Sequence, residues 1–320
     1  MNKLLVGIAL ILVAGVAQAQ AYPNKPLRFV VPYPPGGGTD ILGRLLGQVI
    51  GESVGQAIIV ENRPGANGAV GSDWVAKQAP DGYTVGFAGS STHVLNPMLY
   101  KLNYDPVKDF TPVSTVAMTS LVIVVNPTSA SYGYKTLSEL LAYARANPGK
   151  LSYGSFGNAS AGHLAGEMFK YMAKVDMVHV PYKGSAPGQA DVMAGVIPLM
   201  FSDMSGMPHV KSGRLRALAV TGDKRLSSYP EIPTAAEAGV PGYDVRGWFA
   251  VYGPAGMPRP VLERINAEFV KALARPEVRE RLLSLGLESS SSSPEGLAER
   301  MRNDHEKWSR LIAQAGIKAE

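Results

Sequence analysis

The stretch Pro32-Tyr33-Pro34-Pro35-Gly36-Gly37-Gly38-Thr39-Asp40 separates two segments with different hydrophobic patterns. Leu27–Val31, directly before it, is a short apolar run of the kind that forms a buried strand. Ile41–Ile50, directly after it, follows Thr39 and Asp40, two residue types that often cap the first turn of a helix. The stretch therefore predicts a strand, a glycine-rich turn and a helix, which is the repeating unit of α/β folds.

This turn is also the strongest candidate binding site in the sequence. Glycine lets backbone N–H groups approach a ligand closely, and a helix N-terminus attracts a carboxylate or a phosphate. The other interpretation is a tight turn whose glycines serve only its geometry. Asp40 would repel an anion, so it either caps the helix or accepts a hydrogen bond from a donor on the ligand. The candidate binding residues of this turn are Tyr33, Pro35, Gly36, Gly37, Thr39 and Asp40.

Short apolar runs recur along the chain and predict seven more strands. They are Ala57–Val60, Tyr83–Ala88, Leu121–Val125, Leu151–Ser155, Met177–Val180, Ala217–Val220 and Trp248–Val251. Helical patterns lie between most of them, so the sequence predicts an α/β architecture with largely parallel sheets. The length of 320 residues favours two such domains with a ligand cleft between them. We expect five consecutive serines, Ser289–Ser293, to form a solvated linker.

Three of the predicted strands are followed by small polar residues. Ligands of α/β sheets bind at the carboxyl ends of strands, so several such loops can converge on one polar ligand. Each loop alone could be an ordinary capped turn, because Ser and Thr cap helices routinely. Together they favour a binding site. The candidates are Ser90, Ser91 and Thr92 after the first of these strands, Ser155, Gly157, Asn158 and Ser160 at the second, and Lys183 and Gly184 after the third.

Composition and motifs exclude several functional classes. The chain has 31 Lys and Arg against 26 Asp and Glu, and this weak excess without a dense basic cluster argues against nucleic-acid binding. It has no cysteine, which excludes disulfides, iron–sulfur clusters and thiol catalysis. We find no nucleophile elbow, no Walker A motif, no dinucleotide-binding fingerprint and no histidine pair at zinc-binding spacing. We therefore expect no catalytic residue, no metal site and no cofactor.

The first residues have the layout of a secretory signal peptide. Met1-Asn2-Lys3 is basic, Leu4–Val16 is apolar, and Ala17–Ala21 offers two overlapping cleavage sites, after Ala19 or Ala21. The apolar run has 13 residues, whereas a membrane-spanning helix needs about 20, so an uncleaved anchor is the weaker alternative. Removal of 21 residues would leave 320 − 21 = 299 residues. We expect the mature protein in a bacterial periplasm.

A co-linear series of motifs runs through nearly the whole remaining chain. The motifs are Tyr22–Pro26, Pro34–Asp40, Val60–Ala66, Pro80–Tyr83, Gly157-Asn158, His163–Glu167, Val180–Gly184, Pro208–Lys211, Leu215–Thr221 and Ala315–Lys318. In these motifs the chain resembles the tripartite tricarboxylate transporter receptors, the extracytoplasmic solute receptors abundant in Bordetella-type bacteria.

The resemblance implies a two-lobed periplasmic binding protein of type II-like architecture, with two mixed sheets flanked by helices and a ligand cleft between the lobes. Lobe 1 would contain residues 22–122 and 246–320, and lobe 2 residues 123–245. Family ligands are small organic acids: dicarboxylates, tricarboxylates, aromatic acids and acidic amino acids. The receptor would act as a monomer and hand its ligand to a membrane permease of two subunits.

The resemblance also implies the contacts of the ligand. Backbone amides of the loop Pro35–Asp40 would hold one carboxylate, and the loops at Ser90–Thr92, Ser155–Ala161 and Lys183-Gly184 would supply the rest. This adds Ala161, His163 and Asp203 to the candidate binding residues. The run Ala159–Gly162 has fewer polar groups than the family usually carries, which disfavours a highly oxygenated ligand such as citrate.

Two other functions stay open at this point. The same fold could present its closed, ligand-bound form to a membrane sensor kinase. A secreted hydrolase could use Ser160 with His163, although their spacing of three on one helix and the lack of an orienting acid argue against it.

Overall fold

The computed structural model describes residues 22–129, 133–158 and 160–315. The predicted signal peptide and its cleavage sites lie outside these residues. Within the described ranges, no helix combines the length and the apolar character needed to cross a membrane.

The elements of the described residues follow one another in a mixed order of strands and helices. The strands are β1 (Leu27–Val31), β2 (Ile58–Asn62), β3 (Thr84–Gly89), β4 (Phe110–Ser120), β5 (Val122–Val125), β6 (Leu151–Ser155), β7 (Met177–Pro181), β8 (Leu199–Ser202), β9 (Arg216–Val220), β10 (Arg246–Pro254) and β11 (Leu287–Ser289). The helices are α1 (Gly38–Val54), α2 (Ala69–Ala76), α3 (Asn96–Leu99), α4 (Leu137–Ala146), α5 (Ala161–Ala173), α6 (Ser185–Met193), α7 (Met207–Lys211), α8 (Arg259–Ala274), α9 (Pro276–Ser284) and α10 (Pro294–Ala315).

The strands form two sheets, each with helices packed against it. The six-stranded sheet has the order β11-β4-β10-β3-β1-β2, and the five-stranded sheet has the order β7-β6-β8-β5-β9. β1, β2 and β3 are parallel, as are β6, β7 and β8. β10 is antiparallel to β3 and β4, and β5 is antiparallel to β8 and β9. The α/β fold with two mixed sheets is confirmed, whereas the expectation of largely parallel sheets is wrong for these antiparallel strands.

Each sheet has its own aromatic core. In the first sheet Phe29 on β1 stacks on Phe269 of α8 with ring centroids 5.5 Å apart, and Phe87 of β3 completes the cluster. In the second sheet Phe201 on β8 packs edge-on against Phe169 of α5, again at 5.5 Å. All five rings are almost fully buried, and burial of each such side chain contributes roughly 1.5–3 kcal/mol.

The chain passes between the two sheets at two places that lie side by side. The first passage is Leu121, between β4 and β5, and the second is the segment from β9 to β10, which contains Thr221 and Val245. The buried Thr221 hydroxyl donates to the Val245 carbonyl at 2.6 Å and accepts from the Leu121 amide at 2.9 Å. These two hydrogen bonds join the two passages. We call Leu121, Thr221 and Val245 the hinge region.

The structure corrects several details of the sequence interpretation. All eight predicted strands are present, with ends shifted by at most three residues, but β4, β8 and β11 were not predicted. The serine run is not a solvated linker, because Ser289 ends β11 and the Ser292 hydroxyl accepts from the Thr115 amide at 3.0 Å. Helix α1 begins at Gly38 with Gly37 as its cap, so Thr39 and Asp40 are residues of the first turn and not N-caps.

Candidate ligand-binding site

The carboxyl ends of the parallel strands in both sheets point toward the hinge region. In the second sheet the last residue of β8, Ser202, pairs with the first residue of β5, Val122. In the first sheet the last residue of β3, Gly89, pairs with Phe249 near the start of β10. β5 and β10 each begin directly after a passage between the sheets. The loops after β1 and β3 therefore lie at the same end of the molecule as the loops after β6, β7 and β8.

The glycine-rich turn after β1 exposes its backbone. Residues 34–38 are all exposed, and a Cβ added at Gly36, Gly37 or Gly38 would meet no atom closer than 3.7 Å. Gly36 has φ +84°, a conformation that favours glycine, whereas Gly37 is extended. No side chain caps the helix, so the first N–H groups of α1 remain available to a ligand. The turn has the open backbone that the sequence predicts.

Asp40 is directed into the protein. It is 3% exposed, and its Oδ2 accepts from the Gly36 amide at 2.9 Å and from Arg44 Nε at 3.0 Å. Its Oδ1 accepts from Asn62 Nδ2 at 3.0 Å and lies 2.9 Å from Arg44 Nη2. Burial alone would raise the pKa of Asp40, but these hydrogen bonds and the Arg44 charge outweigh it and lower the pKa. All four contacts are internal, so Asp40 holds the turn in shape.

The other predicted residues around this turn are of two kinds, exposed residues and residues that pack within the protein. Pro35 is exposed beside the glycines, whereas Thr39 is 6% exposed. The carbonyl of Tyr33 accepts from Asn62 Nδ2 at 3.0 Å, and its half-buried ring lies against Gly68. Burial, assisted by the nearby Tyr104, raises the pKa of the Tyr33 phenol. Asn62 therefore joins Asp40 and Tyr33, a support that sequence patterns did not reveal.

The loop after β3 buries two of its three predicted residues. Ser90 is 6% exposed and Thr92 is fully buried, whereas Ser91 is half-buried in a π-helical turn. The Thr92 hydroxyl donates to the Gly89 carbonyl and accepts from the Gly89 amide, both at 3.1 Å. Its side chain therefore closes its own turn, and the contact of Thr92 with a ligand stays a prediction.

The loop after β6 is organised around Gly157. The buried Ser155 hydroxyl lies 3.0 Å from the Gly157 carbonyl and 3.2 Å from the Gly157 amide. The Ser160 hydroxyl donates to the same carbonyl at 2.6 Å and caps α5 by accepting from the His163 amide at 3.2 Å. Asn158 is exposed and Ala161 is half-buried. Ser160 is thus a helix cap, which is not the geometry of a nucleophile facing a substrate.

The predicted His163 contacts a second histidine that sequence analysis did not single out. Its ring stacks on His179 of β7, with centroids 3.9 Å apart and planes within 5°. His179 in turn has its Nε2 2.7 Å from the Ser155 hydroxyl. The parallel pairing of β6 with β7 could have indicated this contact. In its register His179 pairs with Tyr153, which lies two residues before Ser155.

The loops after β7 and β8 meet at the start of α6. Lys183 is exposed, and Gly184, with φ +106° and open space around it, caps α6. The neighbouring Ser185 hydroxyl donates to Asp203 Oδ2 at 2.7 Å. Asp203 also caps the short turn after β8 by accepting from the Ser205 amide. Asp203 therefore lies close to the predicted residues Lys183 and Gly184, and its carboxylate accepts hydrogen bonds from Ser185 and Ser205.

The structure thus groups the predicted residues at one end of the two sheets, with distinct roles. Those with an open backbone or an exposed side chain are Pro35, Gly36, Gly37, Asn158, Lys183 and Gly184. Those whose polar atoms bond within the protein are Asp40, Thr92, Ser155, Ser160 and Asp203. No group of three His, Asp or Glu side chains with metal-binding geometry occurs in the described part of the chain.

A separate cavity of about 580 Å³ lies on the first lobe between residues 97–107 and α10. Tyr100, Val107 and Met301 are among its lining residues. None of the predicted ligand-binding residues lines this cavity, so its size does not bear on the candidate site.

Solved structures share this fold over nearly the whole chain. One described as the structure of a periplasmic transporter is 39% identical, with a TM-score of 0.81 over 94% of this chain and 100% of that one. R. palustris Rpa4515 with adipate is 34% identical, TM-score 0.83, covering 93% and 100%. MatC (Rpa3494) from Rhodopseudomonas palustris with bound malate is 30% identical, TM-score 0.76, covering 91% and 100%. The fold and these similarities define a two-lobed periplasmic solute-binding protein.

Sequence comparison identifies the family. A profile described as the tripartite tricarboxylate transporter family receptor matches residues 42–317. A Pseudomonas sp. relative, the UPF0065 protein in the tcbD-tcbE intergenic region, is 39% identical over 324 residues, which is 99% of this chain and 95% of the relative. The chain belongs to the tripartite tricarboxylate transporter receptor family, as the motifs of its sequence predict.

Proposed function

We propose that this receptor binds a small organic dicarboxylate in the cleft between its lobes and delivers it to a two-subunit membrane permease. The observation that carries the proposal is the open turn Pro35–Gly38, whose exposed backbone follows β1 at the hinge end of the first sheet. Backbone N–H groups at a helix start attract a carboxylate, and a charge-assisted hydrogen bond contributes roughly 1.5–3 kcal/mol. Two or three such bonds can anchor one end of a small acid.

Support for a ligand with two carboxylates comes from the opposite lobe. The loops after β6 and β7 carry Asn158, Lys183 and Gly184 at the same end of the molecule, so a second acidic group has polar partners there. In the loop after β6 the hydroxyls of Ser155 and Ser160 bond to Gly157, which leaves few groups for a highly oxygenated acid. Similar proteins have been solved with adipate and with malate, both dicarboxylates.

Binding would act by closing the lobes on the ligand. A ligand that bridges both sets of loops contacts the closed state more than the open state, and this difference shifts the population toward closure. We propose that the lobes close about the hinge region, which contains Leu121, Thr221 and Val245. We take lobe 1 as residues 22–122 and 246–320 and lobe 2 as 123–245, a division that the two sheets support except that β5 begins at Val122.

Export and assembly belong to the same proposal. We expect cleavage after Ala19 or Ala21, release into the periplasm, and a monomeric receptor that uses no cofactor. Mass spectrometry of the protein exported by a bacterial host gives the cleavage site directly. Retention of residues 1–21 on exported protein would refute this part without affecting the binding site.

Thermal unfolding with added ligands tests the central claim. We would compare adipate, malate and citrate with adipamide, which matches adipate in shape but lacks its charges. A ligand at 100 times its dissociation constant adds about 2.7 kcal/mol to the stability of the folded state. At about 2–4 °C per kcal/mol this raises the midpoint by roughly 5–10 °C.

The expected result is a clear shift with a dicarboxylate, confirmed by calorimetry, and none with adipamide. Native mass spectrometry of the same sample identifies any ligand that co-purified. If the protein carries no co-purified acid and no carboxylate shifts its midpoint, the carboxylate proposal fails. Uptake of the same acid by cells with and without the receptor gene then tests delivery to a permease.

A further inference from the structure

His179 lies at the edge of the second sheet beside the Gly157 loop, outside the set of residues assigned to ligand binding. Its half-buried ring is held by two others: Tyr153 stacks on it at 5.0 Å between centroids, and His163 stacks on it at 3.9 Å. Its Nε2 lies 2.7 Å from the Ser155 hydroxyl oxygen. The ring is therefore fixed in position with one nitrogen aimed at Ser155.

The hydrogen bonds around Ser155 decide which tautomer the ring adopts. A serine hydroxyl has one proton to donate and two lone pairs to accept with. The Ser155 hydroxyl lies near three groups: His179 Nε2, the Gly157 amide at 3.2 Å and the Gly157 carbonyl at 3.0 Å. All three bonds form together only if Nε2 carries a proton and donates it. An unprotonated Nε2 would take the single serine proton away from the Gly157 carbonyl.

The hydrogen bonds of Ser155 fix the backbone of Gly157. Gly157 has φ +137°, which other residues rarely adopt, and its carbonyl also accepts from the Ser160 hydroxyl at 2.6 Å. Ser155, at the end of β6, and Ser160, at the start of α5, both bond to the Gly157 carbonyl. Asn158, the exposed residue of the loop, comes directly after it. The direction of the Gly157 backbone therefore sets where the exposed part of the loop lies.

We propose that His179 is a positioning residue for ligand binding: through Nε2–H it fixes Ser155, and through Ser155 it fixes the Gly157 loop. This inference rests on the proposed binding function, because the loop must contact the ligand for its position to affect affinity. His179 itself does not contact the ligand. His163 contributes by stacking on the ring.

The surroundings keep the ring neutral. Tyr153 donates to Glu167 at 2.7 Å, and Glu167 pairs with Lys170 at 2.9 Å, so the positive charge near His179 is Lys170 on α5. Burial, then His163 and Lys170, lower the pKa of His179 to about 4. The positioning bond is therefore constant above about pH 5, and His179 gives binding no pH dependence there.

Substitution of His179 tests the proposal with adipate and malate as probes in calorimetry. H179F keeps a stacking ring but removes the donor, and we expect affinity to fall about tenfold, the effect of losing about one hydrogen bond. H179Q can place an amide N–H near the Nε2 position, and we expect it to stay within about threefold of wild type. H305F, the same change at an exposed histidine of α10, is the matched control and should not alter affinity.

A double-mutant cycle tests the route through Ser155. S155A should weaken binding at least as much as H179F does, because it also removes the two bonds from Ser155 to Gly157. The double variant S155A/H179F should be no weaker than S155A alone, because His179 acts only through Ser155. Additive losses would show that the two residues act independently and would overturn the proposal.

Amide hydrogen exchange of the ligand-free protein gives a readout that needs no ligand. The Gly157 amide should exchange at least about fivefold faster in H179F and S155A, and at the wild-type rate in H179Q and H305F. Unchanged exchange in H179F overturns the proposal. If wild type binds no carboxylate but Gly157 exchange responds, the proposed function fails while the positioning of the loop stands. If H179F does not fold, H179A, which removes the same donor, decides with the same two measurements.

Discussion

The turn after β1 and the loop after β6 take equivalent places in the two lobes, yet they are built in different ways. The turn Pro34–Gly38 relies on glycine, and its backbone is exposed with open space around it. The loop Ser155–Ser160 relies on hydroxyls, and Ser155 and Ser160 both bond to Gly157. One lobe exposes bare backbone, whereas the other uses its polar side chains to shape the backbone.

This difference teaches that polar side chains at the candidate site also shape its backbone. On the glycine turn the only acidic residue, Asp40, supports the turn from inside. In the other lobe the hydroxyls of Ser155 and Ser160 support the backbone at Gly157 in the same way. Affinity for a ligand should therefore fall when a side chain is added at the open backbone. It should also fall when Asp40, Ser155 or Ser160 is replaced, because these residues hold the backbone in shape.

Gly37→Val gives the largest expected effect on binding. Gly37 is extended, and an added Cβ meets only the Pro34 carbonyl at 3.7 Å, so the variant should fold, with a cost of about 1 kcal/mol for a poor helix cap. The branched side chain would occupy the space over the first N–H groups of α1. We expect adipate affinity to fall by more than about 100-fold, equivalent to about 2.7 kcal/mol.

Gly37→Ala provides a graded control for that change. It adds one methyl group at the same place, and its loss of affinity should lie between those of wild type and the valine variant. Calorimetry gives affinity and circular dichroism gives the unfolding midpoint. Unchanged affinity in a folded valine variant would contradict the assignment of this turn to the ligand.

Asp40→Asn tests the internal support of the turn. It removes the charge that binds Arg44 and places an amide N–H group among donors, so unfolding should become easier by about 1–3 kcal/mol. The matched control is Glu263→Gln, which breaks an exposed ion pair with Arg259 on α8 and should cost less than about 0.5 kcal/mol. Urea unfolding measures both.

The same variant predicts a pH dependence with a definite sign. The pKa of Asp40 is lower in the folded protein than the value of about 3.9 usual for unfolded chains. The stability that the carboxylate contributes is therefore present at neutral pH and is lost as pH falls below about 4 through the folded pKa. The difference between wild type and Asp40→Asn should shrink over that range. A difference independent of pH down to the acid transition would argue that the charge of Asp40 is not what matters.

The sequence predicts the bounds of an element well where one local signal dominates. β1 and β6 have their predicted ends because Leu27–Val31 and Leu151–Ser155 are apolar runs with abrupt limits. β4 was missed because Pro112, Ser114 and Thr115 interrupt its apolar pattern, although Ser114 and Thr115 are fully buried by the serine run that follows β11. That partner lies 177 residues away, so no local window contains it.

The candidate site shows the same limit. Residue types and strand ends predicted which loops gather at one end of the sheets, because parallel strands end at one edge. They could not predict the direction of a side chain: Thr92 and Asp40 are polar residues of the candidate site, and both are buried with internal partners. The sequence does not single out His179, because its proposed role depends on the rings of Tyr153 and His163, which only the folded sheet brings to it.

Gly36→Ala compares strain at the open turn with strain elsewhere. Gly36 has φ +84° and Gly55, at the other end of α1, has φ +68°, and neither has an atom near an added Cβ. Each alanine variant should therefore lose about 1–2 kcal/mol of stability through backbone strain alone. Only Gly36→Ala should also weaken adipate binding, by about tenfold, because the turn must hold its shape to present its N–H groups. Equal affinities of the two variants would show that turn shape does not affect binding.

Lys183→Ala gives the smallest expected effect and tests the other lobe of the comparison. Lys183 is exposed, so water and salt screen its attraction for a carboxylate, and such contacts contribute about 0.2–1 kcal/mol. We expect adipate affinity to fall by no more than about fivefold, with a larger fall at low salt than at 0.5 M salt. Lys211→Ala, at an exposed lysine of α7, should leave affinity unchanged at both salt concentrations. A loss in Lys183→Ala that exceeds that of Gly37→Val would reverse the comparison, because it would place the main anchor of the ligand on a side chain of the second lobe and not on the open backbone of the first.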